Sequence, residues 1–189
     1  METKKLSQIA DVFSGVRLSR YDDEYSESQV VIHKTYSDDF LKFDCESRTV
    51  SDNIYLEKFE KYFSKENDII VSLFDPTRVT KITKKGLIIP DRYAIIRLHE
   101  NIDPDFMVLL LKSSIFRREL NKLIEGSFAK YIRTRYIQEV KLPIPDYENQ
   151  KKYGKLLKLL EDKIQLKLKS IENNKKAQKA LLDKLVRNY

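Results

Sequence analysis

One segment of this chain, residues 146–189, limits the possible folds most, because its pattern is that of a single long helix. It contains no proline and only one glycine, Gly154. The residues at alternating steps of three and four are mostly apolar: Leu157, Leu160, Ile164, Lys167, Ile171, Asn174, Gln178, Leu181 and Leu185. Such a heptad repeat is typical of a helix that packs lengthwise against another helix. With a rise of about 1.5 Å per residue, the predicted helix is about 60 Å long.

Residues 1–145 have the mixed pattern of an α+β head. Strand-like segments occur at residues 30–33, 68–74, 79–83, 93–98 and 140–144. Asp103 and Pro104 supply the cap and first turn of a helix that we predict to pass through Ile124 and to stop at Gly126. The sequence therefore predicts a globular head of mixed or antiparallel strands and helices, residues 1–145, followed by a long C-terminal helix, residues 146–189, hereafter the arm.

The composition predicts a soluble, cytoplasmic protein without a membrane segment. No stretch approaches about 18 consecutive apolar residues, and the N-terminus lacks the apolar region of a signal peptide. Cys45 is the single cysteine, so neither an intrachain disulfide nor a multi-cysteine metal site is expected. Residues 19–68 contain 13 acidic and 7 basic residues, whereas residues 126–189 contain 16 basic and 7 acidic residues. The basic part is typical either of a surface that binds a polyanion or of a solvated lysine-rich helix.

Most catalytic motifs are absent from the sequence. The four glycines are too far apart for a dinucleotide-binding or phosphate-binding loop, and two histidines without a cysteine pair make a zinc site improbable. No Asn/Asp-Pro-Pro-aromatic tetrapeptide of an amino-methyltransferase occurs. One alternative stays open: Asp105 with Glu139 and Lys141 has the spacing of a Mg²⁺-dependent nuclease motif. Asp105 also has an ordinary explanation, since an acid is favoured in the first turn of a helix. A Glu-x-Lys triplet arises by chance in a chain this rich in glutamate and lysine.

Two basic loops are the better candidates for function. Residues 127–136 (SFAKYIRTRY) contain three cations, three aromatic rings and no acid. Residues 78–85 (RVTKITKK) form a second basic loop after the strand that ends at Asp75 and Pro76. Arginine and lysine neutralise phosphates, while tyrosine and arginine also reach base edges or stack on bases. Together the loops indicate a nucleic-acid-binding head.

The order of the motifs resembles the target-recognition domains of type I restriction–modification specificity subunits. The matching segments are residues 6–15 (LSQIADVFSG), 66–72 (ENDIIVS), 102–107 (IDPDFM), 124–127 (IEGS), 140–145 (VKLPIP) and 148–151 (ENQK). One departure is Asn67, which stands where the family usually has glycine before Asp68. The similarity spans nearly the whole chain.

The resemblance implies a DNA-reading head joined to a conserved-region helix. In the family a full specificity subunit has two heads and two such helices, which pair antiparallel as a spacer. Each head reads one half of a bipartite site on double-stranded DNA, and the helices dock the modification (methyltransferase) subunits. This chain resembles a half-subunit, and we expect two copies to pair through their arms as a homodimer.

The resemblance also implies that the chain is not itself an enzyme. No cofactor is expected on this chain, because S-adenosylmethionine, ATP and Mg²⁺ would be bound by partner subunits. The complex is expected to have DNA adenine methyltransferase activity, and endonuclease activity if a restriction subunit joins it. Whether one joins is left open.

The predicted interaction residues fall in two sets. The DNA-binding candidates lie in the two basic loops and after the Ser14–Gly15 turn: Arg17, Arg78, Lys81, Lys84, Lys85, Lys130, Tyr131, Arg133 and Arg135. The dimerisation candidates lie on the heptad repeat of the arm: Leu157, Leu160, Ile164, Ile171, Asn174, Gln178, Leu181 and Leu185. Polar residues in such a seam fix register and orientation.

Two other functions remain possible from the sequence. The first is a stand-alone DNA-binding regulator, which would bind DNA tightly without a methyltransferase. The second is a coiled-coil adaptor, which would ignore DNA. The arm can also fold back on its own head, since long helices sometimes pack within one chain.

Overall fold

The computed structural model describes residues 2–17, 60–82, 85–125 and 131–187. Its strands are β1 (Glu2–Lys5), β2 (Ala10–Ser14), β3 (Ile69–Ser72), β4 (Val79–Lys81), β5 (Tyr93–Leu98) and β6 (Lys141–Ile144). Its helices are α1 (Pro104–Lys112), α2 (Ser114–Ile124), α3 (Thr134–Glu139) and α4 (Tyr147–Arg187). The strand predicted at residues 30–33 lies outside the described residues, as do Cys45, Lys84, Lys130 and the Gly126–Ser127 motif.

The head is built on an antiparallel sheet with the strand order β2-β5-β3-β4. Strand β3 is buried on both faces. Ile69 and Val71 belong to the larger core cluster with the helices, whereas Ile70 packs in a second cluster that includes Tyr93 and Ile95 of β5. Burial on both faces explains why this strand appears in the sequence as an uninterrupted apolar run. A separate two-stranded sheet pairs β1 with β6 and places the N-terminus beside the strand that precedes the arm.

The α+β class with a long C-terminal helix is confirmed, but the single helix predicted after Asp103 was wrong. The chain forms α1 and α2 instead, with a break at Ser113. The Ser113 hydroxyl donates to the carbonyl of Leu110 at 2.6 Å and accepts from the amide of Phe116 at 3.4 Å. Serine side chains compete for backbone hydrogen bonds in this way, and here Ser113 caps the second helix.

The residues of the 66–72 motif determine how β3 begins. Asn67 has a φ of 68°, a left-handed conformation that glycine adopts freely and asparagine tolerates. The adjacent Asp68 is buried and accepts two hydrogen bonds from Arg97 of β5, at 2.9 and 2.8 Å, and one from the amide of Lys65 at 2.7 Å. The motif therefore joins the start of β3 to its neighbour β5 through a bidentate ion pair.

The arm is a continuous helix of 41 residues whose base docks on the head. The buried Gln150 side chain accepts from the amide of Asp103 at 2.9 Å and donates to the carbonyl of Pro145 at 2.9 Å. One turn later, a Cβ added at Gly154 would lie 2.6 Å from Oδ1 of Asp103, so the close approach of α1 explains the lone glycine of the arm. None of the described helices is long and apolar enough to cross a membrane.

Beyond Gly154 the arm leaves the described part of the head. Six apolar seam residues were predicted, and five of them expose between 48% and 64% of their surface: Leu160, Ile164, Ile171, Leu181 and Leu185. Leu157 is half-buried, and Asn174 and Gln178 are exposed. The arm therefore does not fold back on the described head, and its heptad stripe is uncovered in a single chain.

Candidate nucleic-acid interface

Four segments meet at one end of the sheet and form an open cleft of about 740 Å³. They come from the end of β2, the turn after β3, the turn before β5 and the approach to α3. The lining residues combine positive charge, aromatic rings and hydroxyl groups: Ser14, Arg17, Leu73, Phe74, Asp91, Arg92, Tyr131, Ile132, Arg133 and Thr134.

Backbone hydrogen bonds hold these segments together. The amide of Val16 donates to the carbonyl of Ile89 at 2.8 Å, and the amide of Asp91 donates back to Val16 at 2.9 Å. The amide of Leu73 donates to the carbonyl of Arg92 at 2.9 Å, and the amide of Ile132 donates to the carbonyl of Leu73 at 2.7 Å. The walls of the cleft are therefore positioned by main-chain contacts rather than by flexible side chains.

Gly15 permits the closest of these approaches. A Cβ at this position would lie 2.1 Å from the carbonyl oxygen of Ile89 and 2.3 Å from that of Pro90. No side chain fits at that distance, so residue 15 must be glycine for the end of β2 to meet the turn before β5. The same approach places the exposed Arg17 on the rim of the cleft.

The cleft is electropositive. Arg17, Arg92 and Arg133 line it, against a single acid, Asp91. Within the described ranges, none of the three guanidinium groups forms an ion pair or a side-chain hydrogen bond. Arginines without a carboxylate partner keep their full charge and all their donors for a phosphate or for the O6 and N7 atoms of guanine. The Asp91 carboxylate has the complementary chemistry, since it can accept from the amino group of cytosine.

Two exposed aromatic rings stand beside the arginines. Phe74 and Tyr131 expose 61% and 51% of their surface, and their ring centroids are 6.2 Å apart. Phe74 follows Leu73, which is buried, and Tyr131 precedes Ile132, which packs against the core. The backbone that carries each ring is therefore fixed. Aromatic faces in a basic groove are typical of sites that stack on nucleobases.

The structure brings part of the predicted loop 127–136 into this cleft. Tyr131 and Arg133 line it together with Arg17, the candidate from the other end of the chain. Arg135 lies in the first turn of α3, where its guanidinium covers the ring of Tyr136 at 4.9 Å and donates to its hydroxyl at 3.0 Å. Lys130 is outside the described residues.

The second predicted loop has different surroundings. Arg78 pairs with Asp75 at 3.0 Å, Lys85 pairs with Glu66 at 3.2 Å, and Lys81 pairs with Asp105 of α1. None of these three cations lines the cleft, and Lys84 is not among the described residues. Carboxylate partners reduce the charge that this loop offers to a polyanion. Its role in DNA binding stays a prediction.

Sequence reasoning missed Arg92 and Phe74. Arg92 was a lone arginine before a strand, and Phe74 was the end of an apolar run. An exposed phenylalanine after a buried leucine gives no local signal of function. Arg92 and Phe74 are brought beside the predicted loop only by tertiary contacts. The amide of Leu73 donates to the carbonyl of Arg92, and the amide of Ile132 donates to the carbonyl of Leu73.

The carboxylates of the nuclease alternative are engaged elsewhere. Asp105 pairs with Lys81, and Glu139 pairs with Lys5 of β1 at 2.6 Å. In the part of the chain that the structure describes, no three His, Cys, Asp or Glu side chains gather into a metal-binding group. The geometry gives this alternative no support.

Comparison with known proteins identifies the family. Residues 1–175 match the family described as type I restriction modification DNA specificity domain. The chain is 32% identical to the type I restriction enzyme MjaVIII specificity subunit of Methanocaldococcus jannaschii over 193 aligned residues, 98% of this chain and 45% of that protein. It is 29% identical over 121 residues to a putative type I restriction enzyme MjaX specificity subunit of the same organism, 64% of this chain and 28% of that protein.

Solved structures show the same fold. The HsdS subunit from Thermoanaerobacter tengcongensis is similar with a TM-score of 0.60 and 16% identity, over 86% of this chain and 38% of that chain. The type I S subunit from M. genitalium is similar with a TM-score of 0.56 and 14% identity, over 87% of this chain and 40% of that chain. The chain belongs to the type I restriction modification DNA specificity domain family. It spans less than half the length of these relatives.

Proposed function

We propose that this chain is a sequence-reading component of a type I restriction–modification complex and that its head binds one half of a bipartite site on double-stranded DNA. The observation that carries the proposal is the cleft, in which three arginines without an acidic partner in the described structure stand beside two exposed aromatic rings. Phosphate contacts from such arginines supply affinity, and contacts to base edges supply specificity.

The arm pairs antiparallel with the arm of a second copy. Its heptad stripe is exposed along most of its length, and a twofold dimer is the commonest arrangement that covers such a stripe. Asn174 and Gln178 on that stripe disfavour pairings in which they face apolar residues, so they help to fix the register. An arm of about 60 Å separates the two heads by at most about 18 base pairs at about 3.4 Å per step.

Catalysis and its cofactors belong to other chains in this proposal. The outer faces of the paired arms dock methyltransferase subunits, which bind S-adenosylmethionine. ATP and Mg²⁺ act in a restriction subunit where one is present. The chain itself contributes DNA recognition and the spacing between two half-sites. Family membership and the charge of the cleft support this division of labour.

Methylation mapping tests the whole proposal. The chain is co-expressed with a type I methyltransferase subunit from the same source, and methylated bases are mapped across the host genome. A split motif with inverted-repeat halves is the expected result. A split motif with unlike halves would overturn the homodimer and keep the DNA-reading role. No new methylation, with both proteins soluble, would contradict the proposal and favour the regulator or the adaptor.

Sedimentation velocity tests the arm separately. Lysine in place of Ile164 and Ile171 puts two charges into the seam, and we expect this variant to sediment as a monomer while the natural chain sediments as a dimer. Lysine in place of Leu166 and Val186 is the matched control, because these residues are 70% and 77% exposed but lie off the heptad stripe. A monomeric natural chain, or a dimer that survives both seam substitutions, would contradict pairing through this stripe.

A further inference from the structure

The Phe74–Tyr131 pair carries an inference that rests on the proposed function. Phe74 has no polar atom, so in the major groove of an intact duplex the part of a base edge that it can contact favourably is the methyl group of thymine. A flat ring gains more from the flat face of a base, but base faces in an intact duplex are covered by their neighbours. The shape and placement of the pair decide between these two partners.

The rings are mounted rigidly. The hydroxyl of Ser72 accepts from the amides of Phe74 and Asp75 at 3.3 and 3.2 Å, which fixes the turn that holds Phe74 outward. The backbone under Tyr131 is tied to the same turn by the 2.7 Å hydrogen bond from Ile132 to Leu73. The backbone therefore fixes the relative position of the two residues, and more than half of the surface of each is exposed.

The two rings together form one platform on which a nucleobase can stack. The centroids are 6.2 Å apart, with an angle of 48° between the ring planes. Rings at this separation are in direct contact with each other, so a base would stack on the exposed surface of the pair rather than between the two rings. A thymine methyl group would need only one ring. The three arginines that line the same cleft supply positive charge for the phosphates of a displaced nucleotide.

We infer that Phe74 and Tyr131 hold a nucleobase that has left the helical stack, so that the ligand of this cleft is a locally opened DNA duplex. Moving a base out of the stack costs free energy in an intact duplex, and the cost is lower where a mismatch or a bulge has already weakened stacking. The head should therefore bind a duplex with one extrahelical base more tightly than the matched duplex. The two rings should account for the difference.

Fluorescence anisotropy with two labelled duplexes of about 30 base pairs tests this inference. The duplexes are identical except for a single-base bulge, and binding is measured with the full chain in about 50 mM salt, where phosphate contacts are strong. We expect about tenfold tighter binding to the bulged duplex, and Phe74→Ala or Tyr131→Ala should remove most of that preference. A 2-aminopurine base in the bulge reports stacking on the rings directly.

Conservative variants separate stacking from other contacts. Tyr131→Phe keeps the ring and should keep the preference, whereas Phe74→Leu keeps an apolar group without a flat face and should lose it. If Phe74→Leu binds like the natural chain, and uracil in place of thymine weakens binding, Phe74 reads a thymine methyl group and the inference is wrong. Equal binding to both duplexes, or a preference that survives both alanine variants, would also overturn it. Absence of binding to either duplex would contradict the proposed function itself.

Discussion

The three cleft arginines should determine how DNA binding responds to salt. Replacing Arg17, Arg92 and Arg133 by glutamine removes three charges that have no acidic partner within the described structure. Each phosphate contact contributes about 0.9 to the slope of log K against log salt concentration. If each arginine makes one such contact, the triple variant should have a slope shallower by about 2.7.

The size of the effect makes it easy to measure. Between about 50 and 200 mM salt, a slope difference of about 2.7 corresponds to about 40-fold, because the salt concentration rises fourfold. The natural chain should therefore lose about 40-fold more affinity over this range than the variant does. Fluorescence anisotropy titrations at four or five salt concentrations give both slopes. The replaced side chains are exposed or half-buried, so folding stability should change by less than about 0.5 kcal/mol per position.

A charge-matched control separates the cleft from net charge. Arg117, Arg118 and Lys122 lie on α2 outside the cleft, and glutamine at these three positions lowers the net charge by the same amount. This control should keep nearly the natural slope. A triple cleft variant with an unchanged slope, or a control whose slope falls equally, would refute the assignment of phosphate contacts to the cleft.

Four further predictions concern the residues that hold the head and the arm in place. Gln150→Leu leaves the half-buried N–H of Asp103 and the buried C=O of Pro145 without this partner and should lower the free energy of unfolding by about 2–3 kcal/mol in a urea titration. Asn67→Gly should be neutral in the same assay, whereas Asn67→Val should cost about 1–2 kcal/mol because of the left-handed φ of 68°. Asp68→Ala leaves the half-buried Arg97 without its acidic partner and should lower the free energy of unfolding by about 3–5 kcal/mol. A stability like that of the natural chain would contradict the role given to this ion pair. The hydrogen bond from the Thr77 hydroxyl holds the pKa of Asp75 below its ordinary value of 3.8. The stabilisation of the turn by the Asp75 carboxylate should therefore be complete at neutral pH and should be lost as the pH falls through that lowered pKa. The NMR signal of the Thr77 amide follows this loss.

Much of the fold could be predicted because its signals are local. The mostly apolar segment at residues 93–98 is the strand β5, and Asp103 with Pro104 begins α1 as their capping chemistry predicts. The arm was predicted for the same reason, since a heptad repeat without proline depends on nothing outside the segment. The break at Ser113 was missed, because the sequence on both sides of it continues the helical pattern.

The candidate site could be predicted only in part, because it depends on tertiary contacts. The aromatic and basic composition of residues 127–136 pointed to Tyr131 and Arg133, and both line the cleft. Nothing local distinguishes Arg92, which joins them through the pairing of separate turns. The second basic loop looked equally promising, but Lys81 pairs with Asp105, a carboxylate 24 positions away on α1. Distant carboxylate partners of this kind cannot be read from charge patterns.

The most direct test of the proposal that the cleft binds DNA is photo-crosslinking from two matched tyrosine positions. A photoreactive phenylalanine analogue replaces Tyr131 in the cleft or Tyr153 at the base of the arm, which expose 51% and 50% of their surface. Each protein is irradiated with duplex DNA, and the crosslinked nucleotides are identified. The cleft account predicts efficient crosslinks from position 131 and few from position 153. Efficient crosslinks from position 153 with none from position 131 would place the DNA elsewhere on the chain and would contradict the account.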